Sequence, residues 1–372
     1  MIYLWTFDKP RSPDSPTSAA MRVVITGGCG FIGQMVARSV LRRGKLLTHA
    51  PGGTAERLAP VTEVVLADVS RPPRLLFDQL EEETQVVLGD VSDAGFCRSL
   101  MSTDDTPLSI FHLGAVMSGQ GEADFDLAMG VNLHGTLNLL EAARHAGGAR
   151  PRFILASAGA TLGAGSPTDF VSAEGVVGDE TRATPHTTYG MTKACAELLV
   201  GDYSRRGFVD GRGVRLPTVL VRAGAPNAAT TGCFSAVIRE PLAGDGVIAP
   251  ISPHVKHAVT SYRTAVDCLV GMHELEAEAV DSVLGYDRTV FVPSTALSLS
   301  DLDDALRKVV SPSSAERLGK VSYAADEKLS AAVGSFPTKV DCRRALQLGL
   351  GGAIPPDAET MVREYCEGKL VS

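Results

Sequence analysis

Residues 22–26, Arg-Val-Val-Ile-Thr, are a short run of apolar and β-branched positions, the pattern of a buried parallel strand. FIGQMVARSVLRR (31–43) follows with helical periodicity. Residues 44–60 are rich in Gly, Pro and Ala and read as a connection. VTEVVLAD then predicts a second strand ending at Asp68, TQVVLGDVSD a third with Asp90 at its C-terminal end, and LSIFHLGAV a fourth. FILASA predicts a fifth, and a sixth runs into RLPT, where Pro217 interrupts it. Strands alternating with helices predict an α/β fold built on a doubly wound parallel sheet. Beyond residue 225 the alternation loosens, and Pro and Gly cluster at 241–253. DRTVFVPST predicts a late strand near 288–295 that returns to the sheet, and LSDLDDALRKVV and DAETMVREYCEGKL predict amphipathic helices. The expected organisation is a disordered extension over 1–20, a sheet domain over 21–225, and a smaller lobe over 226–372 interleaved with it.

Gly27, Gly30 and Gly33 fall at three-residue spacing between the first strand and the first helix. In that context they predict the dinucleotide-binding turn of a Rossmann domain. Gly27 permits the tight turn, Gly30 lets backbone approach a pyrophosphate, and Gly33 lets helix pack close on strand. Phe31 and Ile32 open the helix whose N-terminus faces the phosphates. Asp68 comes later than the ~20 residues usual for the acid that binds the adenosine ribose. Placed there, it would repel a 2′-phosphate and favour NAD over NADP. Arg42 and Arg43 are the counter-signal and read as a solvated helix end. Asp90 and Val91 fall where adenine would lie. Leu113, Gly114 and Ala115 would let backbone approach the cofactor after the fourth strand. His112 reads as a packed strand histidine. Tyr189 and Lys193, at i and i+4, share one helix face. With a nicotinamide nearby, that pair suits proton abstraction from an alcohol, the ammonium lowering the phenol's pKa.

These features resemble the extended short-chain dehydrogenase/reductase family, which includes NAD-dependent epimerases and dehydratases. TGGCGFIG is similar to its TGxxGxxG pattern, HLGA to its HLAA-like fourth strand, VNLHGTLNLLEAA to its Asn-bearing helix, with Asn132, and TYGMTK to YxxxK. SGQGEADFD, DYSRRGFVDGRGVRLPT, VRAGAPNAAT, FSAVIREPLAG and FPTKVDCRRALQLGL resemble its D-erythronate dehydrogenase branch. The resemblance implies an enzyme that oxidises C2 of a four-carbon sugar acid with NAD, Tyr189 acting as base and Lys193 binding the nicotinamide ribose. It also implies a Ser or Thr five residues before a glycine after the fifth strand. Counting back from Gly163 gives Ala158 instead. Ser157 is one position earlier, where strand alternation turns it to the opposite face, and Thr161 is a second stand-in. Loss of one such donor costs roughly 10²–10³ in rate by analogy with oxyanion donors.

A sugar acid needs a cation for its carboxylate and donors for its hydroxyls. Arg239 is the expected carboxylate ligand, although Arg239-Glu240 reads equally as a solvated pair at a helix end; Ser118 is a contact to substrate hydroxyls or nicotinamide, Thr218 a substrate contact, and Pro217 would expose backbone to the carboxamide. Glu122, Asp124 and Asp126 read as caps before a helix. His254 and His257 are not joined by other ligands, so no metal is expected, although His257 is a candidate substrate contact. The alternatives are a nucleotide-sugar epimerase or dehydratase on the same scaffold, and a weakly catalytic NAD-binding regulatory module.

A chain of 372 residues with 44% hydrophobic and 21% charged residues is globular, and its net charge of −8 argues against nucleic-acid binding as a main role. No apolar run reaches ~18 residues, so no membrane span is expected. Seven scattered cysteines without a CxxC imply reduced thiols and a cytoplasmic setting. Cys29, inside the glycine-rich turn, would make the site oxidation-sensitive if its thiol were reactive. Apolar stripes near 125–145 (Leu137, Leu140) and 188–203 (Leu198, Leu199) would suit a homodimer, and equally the packing of both helices on the sheet.

Overall fold

The computed structural model describes residues 20–50, 53, 55–101, 106–163, 175–223, 231–352 and 354–368. The N-terminal extension through residue 19 lies outside them. Strands β1 (Met21–Thr26), β2 (Lys45–His49), β3 (Glu56–Asp68), β4 (Gln85–Leu88), β5 (Leu108–His112) and β6 (Arg152–Ala158) enter one sheet with strands Asp210–Leu216 and Thr289–Phe291. Its parallel part runs β4, β3, β1, β5, β6, then 210–216 and 289–291. The late strand therefore joins the sheet edge as a parallel neighbour. Parallel pairing buries both faces, and the interior of β1 and all of β5 and β6 are buried.

Helix α1 (Phe31–Arg43) starts at the glycine-rich turn and stops at Gly44, whose φ of 64° is a left-handed helix stop. The stretch expected as a plain connection is a hairpin: β2 pairs antiparallel with residues 56–60, the first part of β3. That inserted hairpin delays Asp68 in the sequence while leaving it at the C-terminal end of the second parallel strand. Helix Tyr262–Glu274, from the stretch expected in the smaller lobe, packs in the same apolar cluster as α1; Phe31 meets Tyr262 edge-on at 5.5 Å. On the opposite face, Phe153 and Leu155 of β6 pack with Ala196 and Val200 of helix Thr188–Arg205. That face carries the catalytic candidates.

The N-terminal end of the sheet holds a buried charge network. Asp210 accepts from His49, Arg212 and Arg288, and Arg152 pairs with Glu56. Burial works against its charge, yet the His49 bond and the guanidiniums of Arg212 and Arg152 hold the Asp210 carboxyl well below the usual range. His49, Glu56 and Asp210 come close enough to suggest metal ligands. Their carboxylates are already taken by arginines, so the cluster is an ion-pair network fastening the hairpin to the sheet.

Candidate active site

The glycine-rich turn has the geometry of a nucleotide cradle. Gly27 has φ +66°, and a Cβ there would lie 2.7 Å from the backbone nitrogen of Gly114. A Cβ on Gly33 would lie 2.3 Å from the carbonyl oxygen of Gly27. Both positions therefore exclude any side chain, one for the turn and one for the helix contact. Asp68 lies directly beneath the turn, its Oδ2 accepting from the Cys29 amide at 3.1 Å and its Oδ1 from Val69 at 2.8 Å. Arg42 and Arg43 are exposed at the other end of α1, a 13-residue helix and so roughly 20 Å away at 1.5 Å per residue. They cannot reach a ribose at Asp68. Arg71, nearer to Asp68, is paired with Glu81. The residues present thus fit a dinucleotide.

Asp90 stands two residues past the end of β4 and accepts from the Ser92 amide at 2.8 Å. The Val91 side chain packs into the core, where it meets Gly135. Asn132 binds both the amide and the carbonyl of Val116, at 2.8 and 3.0 Å, and so fixes the loop that follows Leu113, Gly114 and Ala115. His112 is fully buried between Thr26 (2.7 Å) and Thr136 (2.9 Å), and burial pulls its pKa down to about 3. It is a packed histidine. Burial, reinforced by Asp68, pushes the Cys29 thiol up to about 11, which keeps thiolate scarce.

A cavity of about 490 Å³ opens at the C-terminal ends of the strands, where ligands bind in such sheets. Ile32, Leu113 and Ala115 line it on the nucleotide side, and Tyr189, Lys193, Ser118, Pro217 and Thr218 converge on it. Pro217 separates strand 210–216 from the short strand Thr218–Leu220. Glu122, on the cavity wall, caps the Tyr189 helix, accepting from the Thr188 amide at 2.8 Å, and Asp124 caps its own short helix. Lys193 donates to the Ala156 carbonyl at 2.7 Å, with its Nζ 6.0 Å from the Tyr189 ring centre.

The expectation of a lowered phenol pKa is reversed in the protein alone. Burial pushes Tyr189 up to about 12, against the pull of the nearby Arg222 guanidinium. Burial likewise draws Lys193 down to about 8, with Glu197 opposing. Ser157 lines the cavity, but its hydroxyl donates to Glu197 at 2.5 Å. Thr161 is fully buried and donates to the Ala158 carbonyl at 3.0 Å. Arg239 is not on the cavity wall; it binds Glu240 and the Arg222 carbonyl. Arg222 is on the wall, and sequence spacing alone gave no sign of it. His257 also lines the cavity: its Nε2 lies 2.8 Å from the Thr218 hydroxyl, which lies 2.9 Å from that of Thr231.

A glycine cradle over an acid-capped strand, with Tyr and Lys one turn apart in the adjoining cavity, defines a nicotinamide-dependent enzyme of the short-chain dehydrogenase type. The profile of the NAD dependent epimerase/dehydratase family matches residues 23–256, and the chain belongs to that family. It is similar to the D-erythronate dehydrogenase of Cupriavidus necator, with 39% identity over 93% of this chain and 98% of that one. The Haemophilus influenzae D-erythronate dehydrogenase is 30% identical over 93% of this chain and 99% of its own. Among solved structures, a nucleoside-diphosphate-sugar epimerase from Agrobacterium tumefaciens superposes with a TM-score of 0.77 at 30% identity, covering 98% and 99% of the two chains. Among the described residues, no helix is long and apolar enough to cross a membrane.

Proposed function

We propose that this chain oxidises the C2 hydroxyl of D-erythronate to 2-oxo-D-erythronate with NAD. The observation that carries the reading is the placing of Arg222, Tyr189 and Lys193 on one small cavity beside the nucleotide cradle. NAD bound there supplies the hydride acceptor. Tyr189 takes the C2 hydroxyl proton at Oη as the hydride leaves the same carbon. Lys193, its Nζ 6.0 Å from the Tyr189 ring centre, would donate to the nicotinamide ribose when NAD is bound. Arg222 replaces Arg239 as the carboxylate ligand, because guanidinium binds a carboxylate in a fork and Arg222 is the one that faces the cavity. Ser118 and Thr218 meet the substrate hydroxyls. Asp68 under the cradle, with Arg42 and Arg43 out of reach, supports NAD over NADP.

The test is NADH formation by purified protein with NAD and D-erythronate, beside L-threonate, D-glycerate and UDP-glucose, repeated with NADP. NADH from D-erythronate, with NAD well ahead of NADP, is the expected result. Tight cofactor binding and no net reduction with any acid would instead favour the epimerase chemistry named for the Agrobacterium neighbour.

The seven cysteines are free, which supports a reducing, cytoplasmic setting. A homodimer through the helices near 125–145 and 188–203 is supported by exposed Phe125 and Leu198, 56% and 76% accessible. Light scattering should give the mass of two chains; the mass of one would remove the dimer.

A further inference from the structure

We propose that Glu197 is a positioning residue for the reaction, fixing the charge of Lys193 and the direction of the Ser157 hydroxyl from behind the catalytic helix. The inference rests on Tyr189 and Lys193 being the catalytic pair and not on which sugar acid is oxidised.

Three elements meet at this carboxylate. Glu197 lies one helical turn beyond Lys193, on the same face. Ser157 of β6 and Arg215 of strand 210–216 are directly paired across the parallel ladder, so both turn to that helix. Arg215 grips Glu197 in a fork, Nε to Oε1 at 2.8 Å and Nη2 to Oε2 at 2.7 Å, while Ser157 donates to Oε1 at 2.5 Å. The Glu197 and Arg215 side chains are 9% and 7% exposed, so water screens this charge little. The wider surroundings do not offer a substitute. Asp179 is 3.9 Å from Arg215, with its own carboxyl pushed up to about 6 by burial against the pull of Arg215. Asp287 is bound to Arg344 at 2.7 Å. Lys193 itself touches a carbonyl, a dipole and not a charge. Glu197, one turn on along the same helix face, is placed to oppose the burial that would neutralise Lys193.

This arrangement also accounts for the shifted serine. With its proton committed to Glu197, Ser157 cannot donate to the reacting oxygen. Its part is to hold the carboxylate that keeps Lys193 charged.

Glu197→Gln keeps the shape and removes the charge. The pH at which NADH affinity falls on the alkaline side, read by fluorescence without substrate, should move down by about 1–2 units. At slightly alkaline pH, kcat should drop about tenfold. Glu197→Asp should shift the same limb less. A folded Glu197→Gln protein whose NADH profile overlays that of the wild type overturns the inference. If that variant does not fold, an unmoved limb in Glu197→Asp does the same. Wild-type protein that binds NADH but oxidises no sugar acid would sink the substrate reading alone, because the NADH profile is read without it.

Discussion

Tyr189→Phe should lower kcat/KM for the sugar acid by about 10³-fold, inside the ~10²–10⁴ range for a positioned acid or base, with NADH affinity within about twofold. The phenol is the proton acceptor, and the ring that lines the cavity survives the substitution. The pH profile gives the sharper signature. In the protein alone the phenol sits at about 12, raised by burial, and Lys193 at about 8. Oxidation therefore gains phenolate as pH rises, and gains most while Lys193 still carries its charge. The wild-type rate should climb through neutrality and flatten or fall as pH passes the Lys193 value. The residual rate of Tyr189→Phe should lack that climb. Equal kcat/KM in the two proteins would remove Tyr189 as the base.

Much of this site is legible in the sequence because its chemistry is local. TGGCGFIG sits between a strand and a helix, and Tyr189 and Lys193 are a single helical turn apart, so spacing alone brings each set together. The hairpin over residues 45–60 was hidden because Ala-Pro-Gly-Gly, just after β2, reads as loop. Its strands lie at the antiparallel edge of the sheet, where the long apolar runs of buried parallel strands are absent. Glu197 was open to the same i, i+4 reasoning as Lys193. What periodicity could not reveal was Arg215, which reaches Glu197 from a neighbouring strand. The choice between Arg222 and Arg239 is wholly tertiary. Both belong to segments of the same resemblance, and only the folding of helix Cys233–Ala243 turns Arg239 to Glu240 and leaves Arg222 on the wall.

Arg222→Gln should raise KM for the sugar acid by a factor corresponding to about 2–5 kcal/mol, the cost of truncating one partner of a buried, hydrogen-bonded charge pair. Arg222 lines the cavity, its Nε donating to the Val219 carbonyl at 3.4 Å and its amide to the Ser235 hydroxyl at 3.3 Å. A carboxylate entering a mostly apolar cavity without it would lose water and gain no counter-charge. A fall in kcat should accompany the rise in KM, since Arg222 is also the charge that pulls down the Tyr189 phenol. Arg222→Lys should recover little, because a point charge on a flexible stem does not reproduce the fork. An uncharged substrate, the corresponding amide or polyol, should lose far less than the acid in going from wild type to Arg222→Gln. Arg239→Gln is the control: bound to Glu240 and a carbonyl, it should leave KM within about threefold. If Arg239→Gln raised KM as far as Arg222→Gln, the carboxylate would be held by the next layer of the protein, and the cavity wall would not be where the acid is recognised.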